Sequence, residues 1–327
     1  MRHLSSILVA LLLCSNVDAG VKKIKPGEGV TATETIDPRA SAGLFVGVRD
    51  FTSDDELTPV KYAVDDAVDL AFELAINIQP PLLPPARVVL ALSGDPEKTQ
   101  SQQNLRALLN AGASKRPAEL IEVLKQLKSQ SGAVGKNGVL VVAFATHGVS
   151  EDGTQYLLTA DSMLSYRETI LTATRVCDIV SKAGVERSLI LIDACRERLT
   201  RDKRTGENDP RSVAAITHAL AGIHGQVVFS AAGAGDYAYD DDERGNGVFT
   251  AAVIDGLRCG ASKDSNGFIT VDTLSTYVEE HVLQWIRKHK NASARKATQL
   301  DVEGRSKMMP LAMCTNHSVS SPQPRQH

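Results

Sequence analysis

The sequence predicts an α/β fold of three layers, with a mostly parallel central sheet covered by helices on both faces. Three observations lead there. Five short runs are apolar at nearly every position, each about the length of one strand. Continuous rather than alternating apolar character means burial on both faces of the sheet. Stretches with helical spacing of apolar residues separate these runs, the order that gives parallel strands joined by crossovers.

The elements follow in chain order. The first residues, "MRHLSSILVALLLCSNVDAG", carry a short basic start at Arg2 and His3 and an apolar run, Ile7 to Leu13, too short to span a bilayer. Val17-Asp18-Ala19 supplies small residues three and one positions before a break after Ala19. That pattern predicts a signal peptide over 1–19 and a secreted or periplasmic protein, with no membrane association after cleavage. A lipoprotein signal would need a small residue before Cys14, where Leu13 stands. Residues 20–40 are polar and without period, and read as a linker.

"AGLFVGV" (42–48) is the first strand, and "VKYAVDDAVDLAFELA" (60–75) a helix. "ARVVLAL" (86–92) is the second strand, followed by helical stretches near 102–111 and 117–129. "NGVLVVAFA" (137–145) is the third strand. "ETILTATRVCDIVSKAG" (168–184) is a helix closed by Gly184, with Cys177 on its apolar face. "RSLILID" (187–193) and "GQVVFSAA" (225–232) are strands four and five. "GVFTAAVIDGL" (247–257) and "TVDTLSTYVEEHVLQWIRKH" (270–289) are helices. The main domain is expected over 41–315 and a disordered tail over 316–327.

Net charge is −3 and aromatic content 4%, so neither a cationic footprint nor a base-stacking surface argues for nucleic acid. The cysteines that outlast the signal, Cys177, Cys195, Cys259 and Cys314, include no Cys-x-x-Cys pair and match no zinc spacing. If one bridge forms, Cys259 to Cys314 is expected, since both lie in the C-terminal part.

In a parallel sheet, ligands gather at the carboxyl ends of the strands. Strand three ends in Ala145-Thr146-His147-Gly148, and strand four in Asp193-Ala194-Cys195-Arg196. A cysteine at a strand end is by itself most simply a small apolar filler. A histidine and a cysteine at the same sheet edge make a nucleophile with its base, because imidazole can take the thiol proton. The N–H groups of Gly148 and Cys195 are then candidates for an oxyanion hole.

With these motifs the sequence resembles the caspase-like cysteine peptidases: caspases, metacaspases and their bacterial relatives. The histidine precedes the cysteine by 48 residues, close to the spacing of about 50 in the caspase signature. "YAVDDAVDLA" (62–71), "GTQYLLTADS" (153–162), "GNGVFTAAVIDGL" (245–257) and "GFITVDTLSTYV" (267–278) look like family segments in family order. The resemblance implies a caspase-like fold, protein or peptide substrates, and His147 and Cys195 as the catalytic dyad. It also implies Thr146, Asp193, Asp236 and Tyr237 as substrate-binding residues. Asp193 stands where caspases have a glutamine and metacaspases an aspartate that binds P1 arginine or lysine, and Glu197 replaces the caspase glycine. A carboxylate at a pocket floor suits a cation and repels an acid, so Asp193 points to a basic P1. Its simpler reading is an acceptor for loop N–H groups. Arg49, just after strand one, argues the other way, since a caspase arginine near that place serves P1 aspartate; Asp50 is beside it to neutralise it.

No cofactor is expected. The acidic run 240–243 is a weak calcium candidate, and "KDSNGFIT" fails as an EF-hand because Thr273 takes the place of the required glutamate. "RERLTRDKRTGENDPR" (196–211), almost free of apolar residues, is expected to be an exposed loop and a site of self-cleavage after Arg198, Arg201, Lys203 or Arg204. The leading expectation is thus an exported endopeptidase. The alternatives are a caspase-fold binding or signalling module that does not cut, and a thiol-dependent acyl transferase or ligase on the same dyad.

Overall fold

The computed structural model describes residues 35–151, 154–197, 225–231, 238–290, 298–302 and 304–314, with backbone alone at 150–151, 154–155, 195–197, 299, 301 and 304–305. The first part of the chain runs β1 (Ala42–Val48), α1 (Ala63–Phe72), β2 (Val88–Ser93), α2 (Thr99–Asn110), β3 (Ser114–Pro117) and α3 (Leu120–Ala133). The middle holds β4 (Leu140–Glu151), β5 (Thr154–Leu157), β6 (Leu171–Thr172), α4 (Ala173–Lys182) and β7 (Ser188–Glu197). Then follow β8 (Gln226–Ser230), β9 (Asp240–Asp241), β10 (Asn246–Gly247), α5 (Val248–Asp255), β11 (Phe268–Thr270), α6 (Val271–Lys290), β12 (Gln299–Val302) and β13 (Pro310–Met313).

The sheet order is β12-β8-β7-β4-β1-β2-β3, with β5 and β6 extending the far end of β4 as an antiparallel side branch. The pairs from β8 to β3 are parallel and β12 is antiparallel at the edge. The central strands bury both faces. In β1, Phe45 points into the core under α1, α5 and α6, while Leu44, Val46 and Val48 point into the core under α3 and α4. The same alternation divides Val141 and Ala143 from Leu140, Val142 and Phe144 in β4. This is the three-layer arrangement that continuous apolar strands require.

Close approach of α1 to the sheet depends on Gly47. A Cβ there would stand 2.6 Å from the Ala63 carbonyl oxygen and 2.9 Å from the Ala67 Cβ. The helix therefore lies directly on the strand backbone, which fixes where its acidic residues fall. At α4, Thr172 caps the helix by accepting from the Arg175 N–H, and Gly184 takes a φ of 71° just past the end. Cys177 is buried on the inner face of that helix.

Several boundaries differ from the sequence reading. The helix expected over 168–184 begins only at Ala173, because Leu171–Thr172 pairs with β5 first. The third and fourth strands do not end at the motifs around His147 and Cys195. Strand β4 continues to Glu151 and β7 to Glu197, held past the apolar run by their own ladder, Ala145↔Asp193 through Val149↔Glu197. Strands β3, β11, β12 and β13 carried no expectation. The disulfide expected between Cys259 and Cys314 is present, closing the end of β13 onto the turn after α5. The loop 198–211 lies outside the described residues.

Candidate active site

His147 and Cys195 are register partners on the neighbouring parallel strands β4 and β7. Their backbones are therefore adjacent, and the extended ladder rather than a loose loop sets their separation. The His147 ring is buried and stacks on Phe51, with centroids 5.2 Å apart and planes 16° from parallel. Its Nε2 stands 2.7 Å from the backbone carbonyl oxygen of Thr58. A carbonyl can only accept, so Nε2 carries the hydrogen and Nδ1 carries the basic lone pair. The Thr58 carbonyl thus fixes the orientation of the ring. A backbone carbonyl leaves no mark in a sequence, and no signal there could have identified it.

Gly148 is buried and lies opposite Arg196 in one ladder and Leu157 in the other. Thr146 is not brought to the site. Its side chain is fully buried and its Oγ1 donates to the Leu158 carbonyl at 2.7 Å, so it fastens β4 to the segment after β5. Strand alternation accounts for this, since neighbours on a strand face opposite sides of the sheet. Asp236 and Tyr237 lie outside the described residues.

Asp193 stands two residues before Cys195 and accepts from both the backbone N–H and the hydroxyl of Thr250, at 3.2 and 2.7 Å. The simpler reading, an acceptor of N–H groups, is met here by a residue of α5 rather than of a loop. A second carboxylate shares the place. Asp66, on α1, is buried and accepts from the Gly247 N–H at 3.0 Å and from the Asn246 amide at 3.0 Å. Gly247 lies between the two. A Cβ on it would be 2.5 Å from one Asp193 oxygen and 3.0 Å from one Asp66 oxygen, so only glycine leaves room for both carboxylates here.

Burial pushes the Asp193 carboxyl up to about 6, against the opposing pull of its Thr250 hydrogen bonds. Burial raises Asp66 as well, and the adjacent Asp193 raises it further. The donors to these two groups are neutral, so the pair is short of positive charge. It therefore resists full ionisation. Sequence reasoning singled out Asp193 and missed Asp66. The signal was there in "YAVDDAVDLA", three acids on a helix whose remaining residues are apolar.

Arg49 is committed elsewhere. Its guanidinium holds Asp50 at 3.0 Å, Glu97 at 3.4 Å and the Asp95 carbonyl at 2.9 Å. Among the described residues no group of three or more histidine, cysteine or acidic side chains converges as a metal site. In the acidic run, Asp242 is bound by Lys61 and Tyr62, and Asp241 accepts N–H groups of its own turn. In "KDSNGFIT", Asp264 accepts from the N–H groups of Asn266 and Phe268 and shapes a turn.

The comparisons with known proteins bear on the family and the fold. The model of the peptidase C14 family, the caspase domain, matches residues 108–316. Among solved structures, the fold is similar to the crystal structure of protein GSU0716 from Geobacter sulfurreducens, with a TM-score of 0.50 and 15% identity over 84% of this chain and 99% of that one. No curated protein matches the chain. The chain belongs to the caspase-domain family of cysteine peptidases.

Proposed function

We propose that the protein is an exported cysteine endopeptidase that cleaves after arginine or lysine, with His147 and Cys195 as its dyad. The observation that carries this is the register pairing of the two residues on adjacent strands, with the histidine tautomer set by Thr58. His147 Nδ1 takes the Cys195 thiol proton, and the thiolate attacks the scissile carbonyl carbon. Negative charge passes to the carbonyl oxygen, for which the Gly148 and Cys195 N–H groups are the candidate donors. The imidazolium returns its proton to the leaving amine as the C–N bond breaks. Water, deprotonated by the same nitrogen, then hydrolyses the thioester and frees the thiol.

Asp193 and Asp66 receive the P1 cation. A guanidinium or ammonium entering beside two carboxylates that lack a cationic partner restores the charge balance that burial denies them. The engagement of Arg49 by Asp50 and Glu97 supports the basic preference over an acidic one. Export rests on the N-terminal pattern, and the Cys259–Cys314 bridge suits an oxidising compartment.

The test is turnover of a peptide with arginine at P1 by wild type, Cys195→Ala, His147→Ala and the double variant. Each single change abolishes cleavage while the thermal melt is retained, and the double variant is no worse than either, because the pair acts as one unit. Full turnover by Cys195→Ala would refute the dyad. A folded wild type that binds such peptides without cutting them would favour the non-cleaving module.

A further inference from the structure

A polar network behind Asp66 has no part in the bond-breaking steps, yet it is closely built. Asn246, at the foot of the β9–β10 hairpin, is 5% exposed. Its side-chain oxygen accepts from Lys98 Nζ at 2.5 Å, and its amide nitrogen donates to Asp66 at 3.0 Å and Asp69 at 3.2 Å. Chemistry fixes the orientation of this amide. An ammonium only donates and a carboxylate only accepts, so oxygen must face Lys98 and nitrogen must face the acids. Both amide hydrogens and the oxygen are used.

Lys98 reaches Asp69 directly at 2.7 Å, and Ser101 and Asn104 also donate to that acid. Asp69 is thereby compensated, while Asp66 meets the lysine only through Asn246. The hairpin that carries Asn246 is pinned by Asp242 to Lys61 and by Arg244 to Asp255 in a two-pronged pair. The donors to Asp66 are therefore held by a tethered element.

We propose that Asn246, backed by Lys98, is a positioning residue for the P1 pocket. It holds the Asp66 carboxylate in place beside Asp193 and passes the lysine's charge to it without a cation filling the pocket. A lysine placed directly against Asp66 would occupy the position a P1 cation needs. An asparagine between them stabilises the ionised acid and leaves that position open. The proposal rests on the basic-P1 reading above and adds the device that makes it work near neutral pH.

The charged groups around Asp66 are Asp193 from β7, Asp240 from the hairpin, Lys98 from the segment before α2, and Asp65 and Asp69 from α1 itself. Asp193 and Asp240 oppose ionisation of Asp66, and Lys98 is the cation among the five. The Asn246 hydrogen bond also lowers the proton affinity of Asp66. Losing either partner raises that affinity, so a more alkaline solution is needed to charge the pocket.

The experiment compares wild type, Asn246→Ala and Lys98→Met by kcat and KM on an arginine-P1 peptide from pH 5 to 9, with iodoacetamide alkylation of Cys195 as a measure of the dyad alone. Both variants move the acid limb of kcat/KM upward by about one pH unit, the scale of one lost charge-assisted hydrogen bond. KM rises by roughly tenfold at pH 5 and by about twofold at pH 7, kcat changes by less than about twofold, and the alkylation rate is unchanged. Lys98 is part-exposed, so Lys98→Met carries the test should Asn246→Ala fail to fold. An arginine-selective wild type whose variants keep its acid limb and KM overturns the positioning role alone. A wild type without preference for basic P1 overturns the underlying reading and this proposal together.

Discussion

Asp193 is a carboxyl that its surroundings keep near its titration midpoint at about pH 6. Two opposite consequences follow for binding and for stability. A basic P1 group needs the ionised form, so kcat/KM on arginine substrates falls as pH drops through about 6. Folding prefers the protonated form, because the folded pKa lies above that of the unfolded chain. That stabilising contribution is complete below about pH 4 and is lost as pH rises through 6. Asp193→Asn therefore separates the two effects. It lowers kcat/KM on basic substrates by about a hundredfold or more, the cost of breaking a buried charge pair. It also removes this residue's share of the decline in stability between pH 4 and 6. A pH series of thermal melts beside steady-state kinetics measures both. Undiminished activity of the Asp193→Asn variant toward arginine would remove Asp193 from the pocket. Thr146 teaches the complementary lesson, since adjacency to His147 in sequence put it on the opposite face of the sheet.

At the scale of elements, the apolar runs made the five core strands and most helices legible, and their ends were the weak point. The sequence reading stopped β4 and β7 where apolar residues gave way to polar ones. Backbone pairing carried both strands further, since a ladder needs no hydrophobic side chain to continue. Strand β3, "SKRP", is an exposed polar edge that carries no periodic signal. Strands β11 and β13 pair with each other outside the main sheet, and β12 is an antiparallel edge, so each depends on a distant partner. The position of Asp66 depends on the contact between α1 and β1, which rests on Gly47. Gly47→Ala should cost about 1–3 kcal/mol by overpacking that contact. It should also weaken arginine-substrate binding, through the displaced helix, more than it slows alkylation of Cys195. Chemical denaturation and KM together check this, and unchanged values for both would show that the helix has slack.

For the whole molecule, the Cys259–Cys314 bridge links residues 55 apart in sequence and ties the last described strand to the end of α5. Closing a loop of that length in the unfolded chain stabilises the fold by about 2–4 kcal/mol. Reduction, or the paired change to serine, should lower the melting temperature by several degrees while leaving the dyad competent. A melt unaffected by reductant would show the bridge to be idle. The bridge and the placement of His147 opposite Cys195 were both accessible from cysteine and histidine positions. Thr58 and the Lys98–Asn246 network were not, because they act through a backbone oxygen and through contacts between segments 148 residues apart.

The central claim is that Cys195 is a nucleophile at the end of a pocket for basic side chains. The most direct measurement exposes the purified protein to matched acyloxymethyl ketone peptides with arginine or aspartate at P1 and maps the adducts by mass spectrometry. One arginine-probe adduct on Cys195, lost in His147→Ala, is the expected result. Cys177 should stay unmodified, because burial pushes its thiol up to about 12. Labelling by the aspartate probe in preference, or no labelling of Cys195 by either, would contradict the claim.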